Sequence, residues 1–120
     1  MEKRPHEKLE VWQKSVKLAE EIYKISGKMP PGEIYGLTAQ MRRSAVSVAS
    51  NIAEGSSRQS KREFKQFLYM ARGSLSELET QIIICLRIKY LGTIEVQQIM
   101  GLTCEIGKML TGLIKKWESI

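Results

Sequence analysis

SKREFKQFLYMARGSLSELETQIIICLRIKYLG, residues 60–92, decides the fold. Its apolar residues Phe64, Leu68, Ala71, Leu75, Leu78, Ile82 and Cys85 recur at steps of three and four, the spacing that lines one side of an α-helix. Ser60 followed by Glu63 forms the sequence signature of a capping box, in which the hydroxyl accepts from the Glu63 amide and the carboxylate reaches back. The helix is therefore predicted to start at Ser60, run to about Tyr90 and stop at Gly92, a length of roughly 45 Å at ~1.5 Å per residue.

The same rhythm extends to both sides. Leu9, Trp12, Val16, Ala19 and Tyr23 predict a helix near residues 7–26, ended by Gly27, Pro30 and Pro31. Ile34, Leu37, Met41, Ala45, Val48 and Ile52 predict a second over 33–54, closed by Gly55 in a left-handed conformation. Ile99, Leu102, Ile106, Met109, Leu113 and Trp117 predict a fourth over 93–119. Short connections force antiparallel neighbours, so the expected fold is all-α, an up-down-up-down four-helix bundle occupying residues 1–120 as one domain.

Composition restricts function. The 120 residues are 42% apolar and 27% charged, as in a globular protein rather than a disordered chain. The longest apolar run, Ile82–Leu86, is far short of the ~18 residues of a bilayer span, and the amino terminus lacks the apolar segment of a secretory signal. A cytoplasmic protein without membrane contact is expected. Cys85 and Cys104 are read as buried thiols, because two cysteines and the single His6 make neither a disulfide framework nor a zinc site. The chain contains no aspartate, and His6 precedes the first helix, so no di-metal bundle site and no base for a serine nucleophile can be assembled. No phosphate loop or dinucleotide motif is present either. The expectation is a non-enzyme without cofactor or metal.

The net charge of +6 is unevenly distributed. Residues 40–72 hold Arg42, Arg43, Arg58, Lys61, Arg62, Lys65 and Arg72 against only Glu54 and Glu63, whereas the segments on either side nearly cancel. On a helical projection Arg58, Lys61, Arg62, Lys65, Tyr69 and Arg72 share one flank of helix three, and Arg42 and Arg43 are expected to extend it from helix two. Such a surface can neutralise phosphates and stack a base on Tyr69, making it the candidate nucleic-acid interface. An ordinary solvated face, or one that docks an acidic protein, has the same composition.

Helices two and three also carry apolar residues beyond one stripe. Tyr35, Ala39, Val46, Ala49 and Ala53, with Ile83, Ile84 and Ile88, are the candidate subunit interface; deep burial within one bundle would account for them equally. Gly73 in mid-helix is expected to mark a close helix approach. Asn51 and Glu54 are expected to fix the loop after helix two, with Glu54 pairing to Arg58 or Arg62, while Glu77 is expected to pair with a basic residue of a neighbouring helix.

Leu9, Trp12 and Ser15, Glu33-Ile-Tyr-Gly-Leu37, Gln40–Ser44, the run Asn51-Ile52-Ala53-Glu54-Gly55, Phe64, Phe67, Ala71 and Gly73-Ser-Leu-Ser-Glu-Leu-Glu79 together resemble a family of bacterial four-helix-bundle proteins. Those proteins were first noticed as reading frames in intervening sequences of 23S ribosomal RNA genes. The likeness covers about residues 7–91. Through a more distant similarity to the accessory variability determinant proteins of diversity-generating retroelements, it implies a homo-oligomer, a pentameric ring by preference, whose basic surface engages RNA. A location within a ribosomal RNA gene implies nothing about membership of the ribosome.

Overall fold

The structure is a computed structural model that describes residues 4–118. Four α-helices, α1 (Glu10–Ser26), α2 (Leu37–Ser56), α3 (Lys61–Arg87) and α4 (Thr93–Glu118), alternate in direction, with short 3-10 turns at Pro5–Lys8 and Pro31–Glu33. Contacts run α1–α2, α2–α3, α3–α4 and α1–α4, closing a square of neighbours with no strand among the described residues. The antiparallel register is visible in the side chains: the Ser47 hydroxyl meets that of Ser74 at 2.9 Å, and two turns earlier on α2 Met41 meets Cys85, further along α3. The fold is the predicted all-α four-helix bundle, 45 × 32 × 21 Å along its principal axes.

The row read on α3 is the core of the bundle, since Leu68, Ala71, Leu75, Leu78, Ile82 and Cys85 are all buried. Ser60 caps that helix, its Oγ accepting from the Glu63 amide at 3.1 Å. On α1 the buried row is Val11, Ser15, Leu18, Ile22 and Ile25, one residue round from the row read in sequence; Tyr23, assigned to the core, is half exposed. Two apolar rows adjoin on this helix, and the row facing both neighbours is buried. Its one hydroxyl is satisfied locally, Ser15 Oγ donating to the Val11 carbonyl at 2.7 Å. The same shift occurs on α4, where Val96, Thr103, Leu110 and Ile114 are buried with Ile99 and Ile106, while Leu102, Met109, Leu113 and Trp117 flank them.

The helix ends correct the sequence reading in four places. α1 starts at Glu10 and α2 at Leu37, because Pro5 and Pro31 open separate 3-10 turns. Glu33 Oε1 then accepts from the Leu37 amide at 3.1 Å and caps α2 where Gly36 has no side chain to do so. Gly55 is not a left-handed stop: it lies inside α2, buried, and a Cβ there would meet Phe67 Cβ at 2.6 Å and Phe64 Cδ1 at 3.0 Å. The glycine allows α2 and α3 to touch. α3 ends before Gly92, at Arg87, with Lys89 in the left-handed region (φ 67°). Tyr90 N donating to Cys85 O and Lys89 N to Leu86 O complete a Schellman closure. At Gly73 a Cβ would meet nothing within 4 Å, so no close approach explains that glycine.

Two ion pairs tie α4 to the rest. Lys14 Nζ lies 2.7 Å from Glu105, and Lys28 Nζ 2.7 Å from Glu95. The Glu105 hydrogen bond raises the pKa of Lys14, and the Lys28 hydrogen bond lowers that of Glu95.

Candidate nucleic-acid interface

The α3 flank is positioned by the α2–α3 turn. Asn51 Nδ2 donates to Ser47 O at 2.9 Å and lies 3.0 Å from Ser47 Oγ, which in turn bonds Ser74 on α3. Ile52 is fully buried, Ala53 is half-buried, and Gly55 admits Phe64 and Phe67. Glu54 accepts from Arg58 Nη2 at 2.6 Å, the loop-fixing pair expected. The run Asn51–Gly55 therefore holds two helices together and presents no free reactive group. Asn51 braces α2 and α3 through Ser47, rather than bonding the carbonyls of the last turn.

From that turn the basic residues diverge. Lys61, Lys65, Tyr69 and Arg72 lie on the edge of α3 that meets α4. Lys61 Nζ stands 5.0 Å over the Trp117 ring, the Arg72 guanidinium 5.0 Å over the Tyr69 ring, and Arg72 Nη1 3.4 Å from Thr111 Oγ1. Tyr69 donates its hydroxyl to the Glu118 carboxylate, which raises the phenol pKa and keeps the proton on the tyrosine. Arg58 turns the other way, over the Phe67 ring at 5.0 Å and paired to Glu54, and Arg62 is exposed on the outer surface.

Arg42 and Arg43 do not extend this stripe. Arg42 closes the α1–α2 seam, its Nε donating to Ser26 Oγ at 2.8 Å and its guanidinium 4.7 Å above the Tyr23 ring. The antiparallel register sets this half of α2 beside the far end of α3, away from Lys61. Of the eight expected residues, Lys61, Lys65, Tyr69 and Arg72 keep one edge of α3 with Arg62 exposed beside Tyr69, while Arg58 and the Arg42–Arg43 pair lie apart.

What α3 gains instead is a wall that sequence reading missed. Between α3 and α4 runs a trough of about 500 Å³, lined by Arg72, Leu75, Ser76 and Glu79 on one side and Thr103, Cys104, Gly107, Lys108, Thr111, Gly112 and Lys115 on the other. Glu79 Oε2 accepts from Thr103 Oγ1 at 2.8 Å and closes one end. Lys65, Lys108 and Lys115 pair with no acid among the described residues.

The candidate interface residues are also separated. Tyr35, at 95% exposed, and Val46 are open, with Ala39, Ala49 and Ala53 half-buried along the outer side of α2. Ile84 and Ile88 share a row on α3, whereas Ile83 falls about 100° round, on the trough side. All three isoleucines are exposed.

The remaining chemistry-bearing groups are scattered. His6 stands edge-on to Trp12 at 4.9 Å, Cys85 is buried as expected with its thiol pKa raised by that burial, Cys104 is exposed on the α4 wall of the trough rather than buried, and Glu77 accepts from Gln81 at 3.4 Å rather than from a cation. Among the described residues no three His, Cys or acidic side chains gather as a metal site, and no helix is long and apolar enough to cross a membrane.

The family model of the 23S rRNA-intervening sequence protein matches residues 7–112. The chain belongs to this family. No curated protein matches the chain. Among solved structures it is similar to a protein of unknown function from the S23 ribosomal protein family of Bacteroides thetaiotaomicron VPI-5482. The two are 26% identical, with a TM-score of 0.82, over 88% of this chain and 98% of that one. The family match spans the Asn51–Gly55 turn and all of α3.

Proposed function

We propose that this member of the 23S rRNA-intervening sequence protein family is a non-enzymatic homo-oligomer that binds RNA through the α3–α4 face. One observation carries the reading: Arg72 of α3 faces Lys108 and Lys115 of α4 across the trough, Lys61 and Lys65 continue the same edge of α3 beyond it, and Glu105 is turned to Lys14 on another face. Cations gathered on one side and left without acids are what phosphate contact requires. Assembly is supported by the apolar side chains that the bundle leaves open, Tyr35, Val46, Ile84 and Ile88 among them. A pentameric ring, the state implied by the family likeness, would repeat the basic face and raise avidity without any new contact.

Sedimentation equilibrium reads the oligomeric state, and a monomer at all concentrations would reject assembly. RNA binding is read by gel shift at two salt concentrations with the triple variant Lys61→Glu, Lys65→Glu, Arg72→Glu. Loss of binding with helicity unchanged is expected, and unchanged affinity would move the site elsewhere. Competition by poly-glutamate but not by RNA would replace this reading with that of a scaffold for an acidic protein.

A further inference from the structure

The register of α3 and α4 gives the five cations an order. Arg72 lies level with Thr111, and Glu79 with Thr103. Carried along both helices, this register places Lys115 between Lys65 and Arg72, and Lys108 just beyond Arg72. The order along the α3–α4 face is Lys61, Lys65, Lys115, Arg72, Lys108, at alternating intervals of about 4 Å and about 6–7 Å that average about 5 Å. They come from both helices, whose axes lie about 8–10 Å apart as in packed helices generally.

We propose that this trough is a track for single-stranded RNA and excludes the duplex, an inference that rests on the RNA-binding reading above. A stacked strand carries one phosphate per ~3.4 Å, and unstacking lengthens that interval toward the spacing of the cations. A duplex is wider than the gap between neighbouring helices, so it would rest on one rim and leave the other row of cations unused. The floor suits a single strand: Leu75 is apolar, Gly107 has no side chain, and a Cβ there would already lie 3.5 Å from Leu75 Cδ2. Arg72 lies between the trough and the Tyr69 ring, so its guanidinium plane is the stacking surface for a base, with the tyrosine as its support. Glu79 closes one end by repulsion, and the five cations span about 20 Å, the length of about six stacked nucleotides.

The test is fluorescence anisotropy with a labelled oligouridylate of about ten nucleotides and an RNA duplex of the same length. The single strand is expected to bind at least tenfold more tightly than the duplex, with a slope of log affinity on log salt near −3.5 for five phosphate contacts. Lys108→Ala with Lys115→Ala should weaken the single strand about tenfold and reduce the slope to about −2.1. Lys17→Ala with Arg43→Ala, both exposed outside the trough, should change neither. Equal or tighter duplex binding overturns the track while leaving RNA binding in place, as does a Lys108 and Lys115 variant that binds like the parent with its helicity intact. Binding to neither RNA overturns both readings.

Discussion

Replacing Gly55 by alanine tests the α2–α3 brace directly. An alanine Cβ would stand 2.6 Å from Phe67 Cβ, 3.0 Å from Phe64 Cδ1 and 3.3 Å from the Phe64 carbonyl oxygen. Carbon atoms rest at about 3.5–4.0 Å, so the helices must part by about 1 Å at this point. Two of the three obstacles are a Cβ and a backbone atom, which no rotamer change can move, and the cost therefore falls at the upper end of overpacking, about 3 kcal/mol. Alanine regains about 1 kcal/mol of helix propensity over glycine. The balance is a loss of about 2 kcal/mol, which for this chain length lowers the melting temperature by about 8 °C. Thermal denaturation followed by circular dichroism measures it, with parent and variant at one protein concentration so that association does not enter. Gly73→Ala is the control, because nothing lies within 4 Å of its Cβ and the propensity gain of about 1 kcal/mol should appear undiminished. A Gly55→Ala protein that melts at or above the parent would refute the close-contact reading.

Three further outcomes are expected. Lys89→Gly, which removes a side chain from a left-handed position, should stabilise the bundle by about 1 kcal/mol in urea denaturation, and a loss of stability would show that the Lys89 side chain has a role of its own. Ser47→Ala, which removes the hydroxyl shared by Asn51 and Ser74, should cost about 1–2 kcal/mol, and Asn51→Ala should add little in its presence if the three residues act as one chain. Glu95 has its pKa lowered by Lys28, so its contribution is present above the ordinary carboxylate range and is lost as pH falls through the lowered value. The melting temperatures of the parent and of Glu95→Gln should therefore differ at pH 7 and converge below about pH 4; a constant difference would show that the pair is not the cause.

The helix number, the order of elements and the buried row of α3 were legible because one apolar row on that helix is flanked by charges. α1 was read one residue out, and α4 was read correctly at Ile99 and Ile106 but one residue out at Leu102, Met109 and Leu113, because each carries two adjoining apolar rows and only the neighbouring helices decide which is covered. Gly55 has two readings in sequence, a left-handed stop or a place where another helix comes close, and the difference lies in Phe64 and Phe67, which reach it only in the folded state. Lys89 carries no sign of its left-handed conformation, since the hydrogen bonds from Tyr90 to Cys85 and from Lys89 to Leu86 impose it.

The basic face was half legible for a different reason. Charge counted along the chain finds α3, where Lys61, Lys65 and Arg72 stand in a segment with few acids, and passes over α4, where the cations and carboxylates of residues 73–120 cancel. Charge counted by face gives another result, because Glu105 turns to Lys14 and Glu95 to Lys28 while Lys108 and Lys115 turn to the trough. The residues that carry the family likeness, Asn51 through Gly55, act on the fold: they brace α2 to α3 and leave no group free for a ligand. On the proposed reading, membership of the family transmits the scaffold, and a few exposed positions on two helix edges set the ligand. A chain with the same brace and carboxylates at 65, 72, 108 and 115 would fold alike and repel RNA.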